Sequence, residues 1–125
     1  ILDEVVNNLV VTTGRNFISS RMASAASAVM SYIGVGLGST TPTVGDTTLG
    51  SELVRVSTTV AGGTVFGNAV TWVANLPAGT GTGSLTEAGI FNAASAGIML
   101  SRATYPVINK DASDTLQITW TITVS

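Results

Sequence analysis

The chain has no cysteine and no histidine. The first absence excludes disulfides and thiolate metal sites, and leaves the redox compartment unread. The second removes the commonest general base and metal ligand. Charge is also scarce. Only 10% of residues are Asp, Glu, Lys or Arg, against about a quarter in an ordinary globular domain. Five Lys or Arg and a net charge of −2 cannot neutralise a row of phosphates, so no nucleic acid is expected as a direct partner. No apolar run approaches the roughly 20 residues of a membrane-spanning helix, so no membrane is expected. Asp3 and Glu4 stand where a secretory signal carries basic residues. Ile1 is not an initiator methionine, and the expectation is that something upstream was processed or left out.

What is present is apolar and hydroxylic. The 125 residues form one domain, and a 45% apolar share supplies its core. Ser and Thr make up roughly a quarter of the chain. The surface must therefore be hydroxyls, small residues and backbone, with few ions. Such a surface is sticky by the usual standards of solubility. Two readings stay open: partner subunits cover it, or it is a β protein with Thr on its solvent faces.

Residues 115–124 carry the strongest pattern. Leu116, Ile118, Trp120, Ile122 and Val124 alternate with Thr115, Gln117, Thr119, Thr121 and Thr123. Period-two alternation of β-branched and aromatic residues predicts a strand with one buried and one wet face. Residues 30–125 hold about six such strands at hairpin-like spacing. Tyr32, Ile33, Val35 and Leu37 lie among Gly34, Gly36 and Gly38, which predicts a strand with a bulge or a close backbone contact. Thr48 is a candidate cap for one helical turn. Residues 53–60 and 65–76 read as strands turned by Gly62-Gly63, with Phe66, Val70, Trp72, Ala74 and Leu76 on one face. Residues 98–105 read as a strand stopped by Pro106. Upstream, residues 1–15 read as an arm broken by Gly14. Asn16 caps a helix over 16–29, with Ile18, Met22, Ala25, Ala26 and Val29 at helical spacing. The fold class is mainly β: an antiparallel, jelly-roll-like sandwich with one short N-terminal helix. Its expected core includes Trp72, Phe91, Leu116, Ile118, Trp120 and Ile122.

Glu87 lies in an apolar stretch, residues 85–91, and a carboxylate there needs a partner or shifts toward its neutral form. Arg55 and Arg102, each within a strand, are the candidates. A structural ion pair is the preferred reading, since one carboxylate without His or a second acid makes a poor catalytic set. Residues 78–84 alternate Gly with Thr but lack the lysine and following helix of a phosphate loop. Asn109, Asp111 and Asp114 hint at Ca²⁺, yet the spacing fits no EF-hand loop and suits an ordinary turn. There is no Gly-x-Ser-x-Gly elbow. Neither cofactor nor metal is expected, and no enzyme.

Three stretches resemble tailed-bacteriophage virion proteins. One is Tyr32-Ile33-Gly34-Val35-Gly36-Leu37-Gly38-Ser39-Thr40-Thr41-Pro42, followed by Asp46-Thr47-Thr48-Leu49-Gly50-Ser51-Glu52-Leu53-Val54-Arg55. The second is Leu85-Thr86-Glu87-Ala88-Gly89-Ile90-Phe91. The third is Met99-Leu100-Ser101-Arg102-Ala103. Their order and spacing are similar to those of tail-collar fibre N-terminal domains and small phage structural proteins. The resemblance implies a non-enzymatic virion component. A fibre domain continues into a shaft, whereas this chain stops at Ser125 on its core strand. The expectation is therefore a capsid cement (decoration) protein, similar in size to the jelly-roll cementing proteins of some podophages. It would bind the major capsid protein on the outer surface of the virion as a dimer or trimer. Expected contacts are residues 1–15, Ser39, Thr41 and Pro42 in the 39–48 loop, and Thr80 and Thr82 in the 77–84 loop. The alternatives are a tail-fibre or baseplate attachment domain, and a carbohydrate-binding β module.

Overall fold

A computed structural model describes residues 5–24 and 27–124. In chain order the elements are β1 (Leu9–Val10), α1 (Thr12–Ala23), β2 (Tyr32–Gly36), β3 (Glu52–Ser57), β4 (Thr64–Phe66), β5 (Ala69–Leu76), β6 (Gly83–Phe91), β7 (Met99–Lys110) and β8 (Leu116–Thr123). They build two antiparallel sheets, ordered β1-β7-β6-β2-β3 and β4-β5-β8. The fold is the mainly β sandwich with one short helix that the alternation predicts. No described helix is long and apolar enough to cross a membrane.

The alternation of β8 sets one wall of the core. Trp120 and Ile122 are buried, Leu116 and Ile118 are half-buried, and Gln117, Thr119, Thr121 and Thr123 are exposed. β8 pairs with β5 in the register Trp72↔Trp120. Both indoles are buried, and both find acceptors: Trp72 Nε1 donates to Met30 O and Trp120 Nε1 to Ser101 Oγ, each at 2.8 Å. Burying an indole without such a partner would cost stability. Phe91 is buried as well, but in a second, smaller cluster with Val11, Leu49 and Met99.

The helix departs from expectation. It spans Thr12–Ala23, not 16–29, and Asn16 lies inside it. Val11 holds the cap position without a side-chain cap, and Ser24 ends the helix in extended geometry. Gly14 does not break the segment. It lets the helix lie against β7, because a Cβ there would collide with Leu100 O. Phe17 is buried, Ile18 is half-buried, Met22 is exposed and Val29 lies beyond the helix. Ala25 and Ala26 are outside the described residues, as are residues 1–4 of the expected arm. Of the described part, Val5, Val6 and Asn7 are exposed, Leu9 and Val10 pair with β7, Val11 is buried and residues 12–15 open the helix.

Three turns also differ from expectation. Gly62-Gly63 does not close a hairpin: apart from one isolated bridge, Thr58↔Ala74, β3 pairs with β2, and the chain passes there to the other sheet. The actual hairpin is the two-residue loop Gly67-Asn68 between Phe66 and Ala69, with Gly67 at φ +60°. Phe66 consequently leaves the core face and is 86% exposed. Pro106 does not stop β7. It lies where the β6–β7 register shifts between Leu85 and Glu87, a bulge where proline's missing N–H breaks no ladder bond. Thr48 opens no helical turn; the chain is irregular until β3 begins at Glu52.

Candidate functional site

On β6, Ala88 and Ile90 point into the sandwich core. Alternation therefore places Glu87 on the opposite face of the sheet. Arg102 of β7 shares that face, since it pairs with Gly89, two residues along from Glu87. The segment joining β2 to β3, residues 37–51, folds back over this face. Its Leu49 is buried with Phe91, Met99 and Val11.

The ion pair pins this segment at its ends and its middle. Glu87 accepts from Gly38 N at 2.8 Å, Gly50 N at 2.8 Å and Ser51 N at 2.7 Å. It also accepts from Arg102 Nε at 3.2 Å and Nη2 at 2.9 Å. Arg102 Nη1 then donates to Thr40 O at 3.0 Å and Asp46 Oδ2 at 3.1 Å. Asp46 in turn accepts from Thr43 N and Thr43 Oγ1. Val44 O accepts from Thr12 N at 2.7 Å, tying the loop tip to the start of the helix. No buried side-chain nitrogen or oxygen among the described residues lacks a partner.

The glycines of this segment follow from that geometry. A Cβ on Gly38 would collide with the Glu87 carboxylate, and one on Gly36 would meet Glu87 Oε2 at 2.6 Å. A Cβ on Gly36 would also collide with Ser51 O, the close backbone contact that the glycine alternation predicts, and the β2–β3 register shifts beside it, between Val35 and Gly36.

Electrostatics fix the charge state. Burial works against ionised Glu87, but N–H donation from Ser51 and Gly50, the Arg102 guanidinium and the Gly38 N–H outweigh it. The carboxyl lies below its ordinary range, opposite to what a general acid needs. Donation by Thr43, with the charge of Arg102 adding to it, likewise holds Asp46 low. Tyr105 donates to Glu87 O at 2.9 Å. Burial first, and then the charge of Glu87, push its hydroxyl above its ordinary value.

Arg55 is not part of this network. β2 stands between β3 and β6, so Arg55 pairs with Glu52 at 2.7 Å and lies 3.6 Å from the Phe91 ring centroid. Its Nη1 donates to Ala93 O and Ala96 O. Of the expected contact residues, Ser39, Thr41 and Thr82 are exposed, while Pro42 and Thr80 are half-buried. The 77–84 loop is tethered by Lys110 Nζ, which donates to Pro77 O at 3.0 Å. The polar turn before β8 folds on itself, Asp111 N donating to Asp114 Oδ2, while Asn109 is still on β7 and its Oδ1 accepts from Ser84 Oγ across the β6–β7 pair. No group of three His, Cys, Asp or Glu converges among the described residues.

Sequence reasoning missed Asp46 and the three backbone donors of the network. The available signal was the pair of glycine-bearing ends, Gly38 and Gly50, around an Asp-containing turn. Comparisons with protein-family models, curated proteins and solved structures found no match to this chain.

Proposed function

We propose that this chain is a non-enzymatic virion protein of a tailed phage, a cement protein that binds the outside of the major capsid shell and stabilises it. The supporting observation is the convergence of the three phage-like stretches. The second and third lie on the paired strands β6 and β7, and the first comes from well upstream, yet Gly38, Gly50 and Ser51 of the first, Glu87 of the second and Arg102 of the third meet in one hydrogen-bonded cluster. The resembling residues are thus the working parts of one device, which holds an exposed loop in a fixed shape.

A pre-shaped loop loses less conformational entropy when it docks. Weak contacts of this kind, repeated over many copies bridging shell subunits, add up to firm attachment. Only 10% of the residues are charged, so attachment depends little on salt.

The same three stretches support a tail-fibre or baseplate attachment domain as the second reading. The carbohydrate-binding reading has less behind it. Both tryptophans are buried, and Phe66 alone among the described aromatic side chains is exposed. Cryo-electron microscopy of purified virions tests the proposal. Density for this fold on the shell supports cement, and density confined to the tail establishes the second reading instead.

A further inference from the structure

β8 forms one edge of the smaller sheet. Asn8 Nδ2 donates to Thr121 O at 3.3 Å, so that carbonyl points away from β5. Val124 N, by contrast, donates to Asn68 O on the β5 side. Alternation along a strand then turns the backbone N–H and C=O groups of Gln117, Thr119, Thr121 and Thr123 outward. The hydroxyls of Thr71 and Thr121, 3.2 Å apart, fit the closer spacing of a pair that does not exchange backbone bonds.

Natural edge strands are guarded by charge, proline, bulges or a covering segment. β8 has none of the first three, and the segment beside it, residues 5–8, holds it through the single bond from Asn8 and is itself largely exposed. Leu116–Thr123 contains no charged residue and no proline, and its register with β5 runs without a shift. Its sequence is also self-complementary. Ile118-Thr119-Trp120-Thr121-Ile122 reads the same in both directions about Trp120.

We propose that β8 is a self-pairing edge, through which two copies of this chain join antiparallel about a two-fold axis at Trp120. In that register Ile118 meets Ile122, Thr119 meets Thr121 and Trp120 meets Trp120. The outward-turned Thr119 and Thr121 of one copy face Thr121 and Thr119 of the other as hydrogen-bonded pairs, and Gln117 faces Thr123. Moving the register by one residue would set outward groups against inward ones. The joined sheet runs β4-β5-β8-β8-β5-β4. The cleft of about 1380 Å³ between β7 and β8, lined by Tyr105, Ile108, Ile118 and Trp120 among others, opens beside the axis in both copies. Asn8 holds the place of a partner N–H and swings aside on pairing. One strand edge buries less than the roughly 1,200–2,000 Å² of a standard interface, so the dimer dissociates on dilution. The inference rests on β8 alone and is independent of the virion role.

The test is sedimentation of the full chain over a range of concentrations, together with disulfide trapping in this cysteine-free background. Thr121→Pro removes an outward N–H that β5 does not use. It should leave the far-UV circular dichroism unchanged and the protein monomeric where the parent dimerises. Oxidising a mixture of Thr119→Cys and Thr121→Cys chains should give mainly mixed dimers. Positions 119 and 121 meet within disulfide reach, whereas 119 and 119, or 121 and 121, lie diagonal and too far apart. A parent monomeric at every concentration would overturn the proposal. So would a dimer indifferent to a folded Thr121→Pro, or either cysteine variant cross-linking alone as readily as the mixture. If Thr121→Pro fails to fold, the cysteine mixture decides.

Discussion

Glu87 Oε1 and Arg102 Nη2 stand 2.9 Å apart, with side chains 0% and 2% exposed. Removing two charges from water is costly, and their attraction alone repays little of it. Here the remaining lone pairs and protons are used as well, by Gly38, Gly50 and Ser51 on one side and by Thr40 and Asp46 on the other. All the groups that Glu87 touches through its carboxylate are donors. Glu87→Gln would turn an amide N–H₂ against N–H groups, so it should cost about 3–5 kcal/mol. Arg102→Met should cost a similar amount, and an apolar replacement of both residues should not restore stability, because three backbone N–H groups would remain buried. Urea unfolding measures this; midpoints matching the parent would contradict it.

Acid should expose the same network. The folded chain holds the carboxyls of Glu87 and Asp46 below their ordinary values of 4.5 and 3.8. As pH falls, the unfolded chain therefore takes up those protons first. The stabilisation is fully present above the ordinary carboxylate range and is lost as pH falls through the lowered folded values. Thermal midpoints should be flat with respect to these groups from neutrality to about pH 5 and fall steeply below about pH 4. In Glu87→Gln the acid slope should be shallower. An equal slope in both proteins would count against the assignment.

Gly38 gives a smaller, local probe. A Cβ there enters the space of the Glu87 carboxylate. Gly38→Ala should destabilise the protein by about 1–3 kcal/mol, the usual range for overpacking. Cleavage within residues 39–48 under limited proteolysis should rise first. Gly45→Ala, at an open position with nothing near its Cβ, serves as the control and should change neither property.

Local signals in the sequence were enough for β8 and for the crowding around Gly36 and Gly38. Both follow from a pattern within a few residues. Glu87's need for a partner was legible too, but not the choice between Arg55 and Arg102, which depends on β2 lying between β3 and β6. Pro106 misleads because a bulge, set by the register of β6, removes the ladder bond that proline would break. Gly14 misleads because helix propensity disfavours glycine, while close packing on Leu100 requires it. In each of these cases a tertiary neighbour overrides a local preference.

Trp120 separates burial from hydrogen bonding. It is 5% exposed and donates to Ser101 Oγ. Trp120→Ala should cost about 3–5 kcal/mol through the cavity it leaves. Trp120→Phe keeps most of the apolar volume and leaves the Ser101 hydroxyl without its donor, so a smaller loss is expected. If the two variants unfold at the same denaturant concentration, packing is not what Trp120 supplies.

The cement proposal is tested most directly by adding the purified protein to expanded shells of its own virion assembled without it. Occupancy and resistance of the shells to heat are then measured together. The proposal predicts saturable binding that varies little with salt, and an upward shift in the temperature at which the shells open. It further predicts that Gly38→Ala lowers occupancy while the protein remains folded. Shells that take up none of the protein, or bind it without any gain in heat resistance, would contradict it.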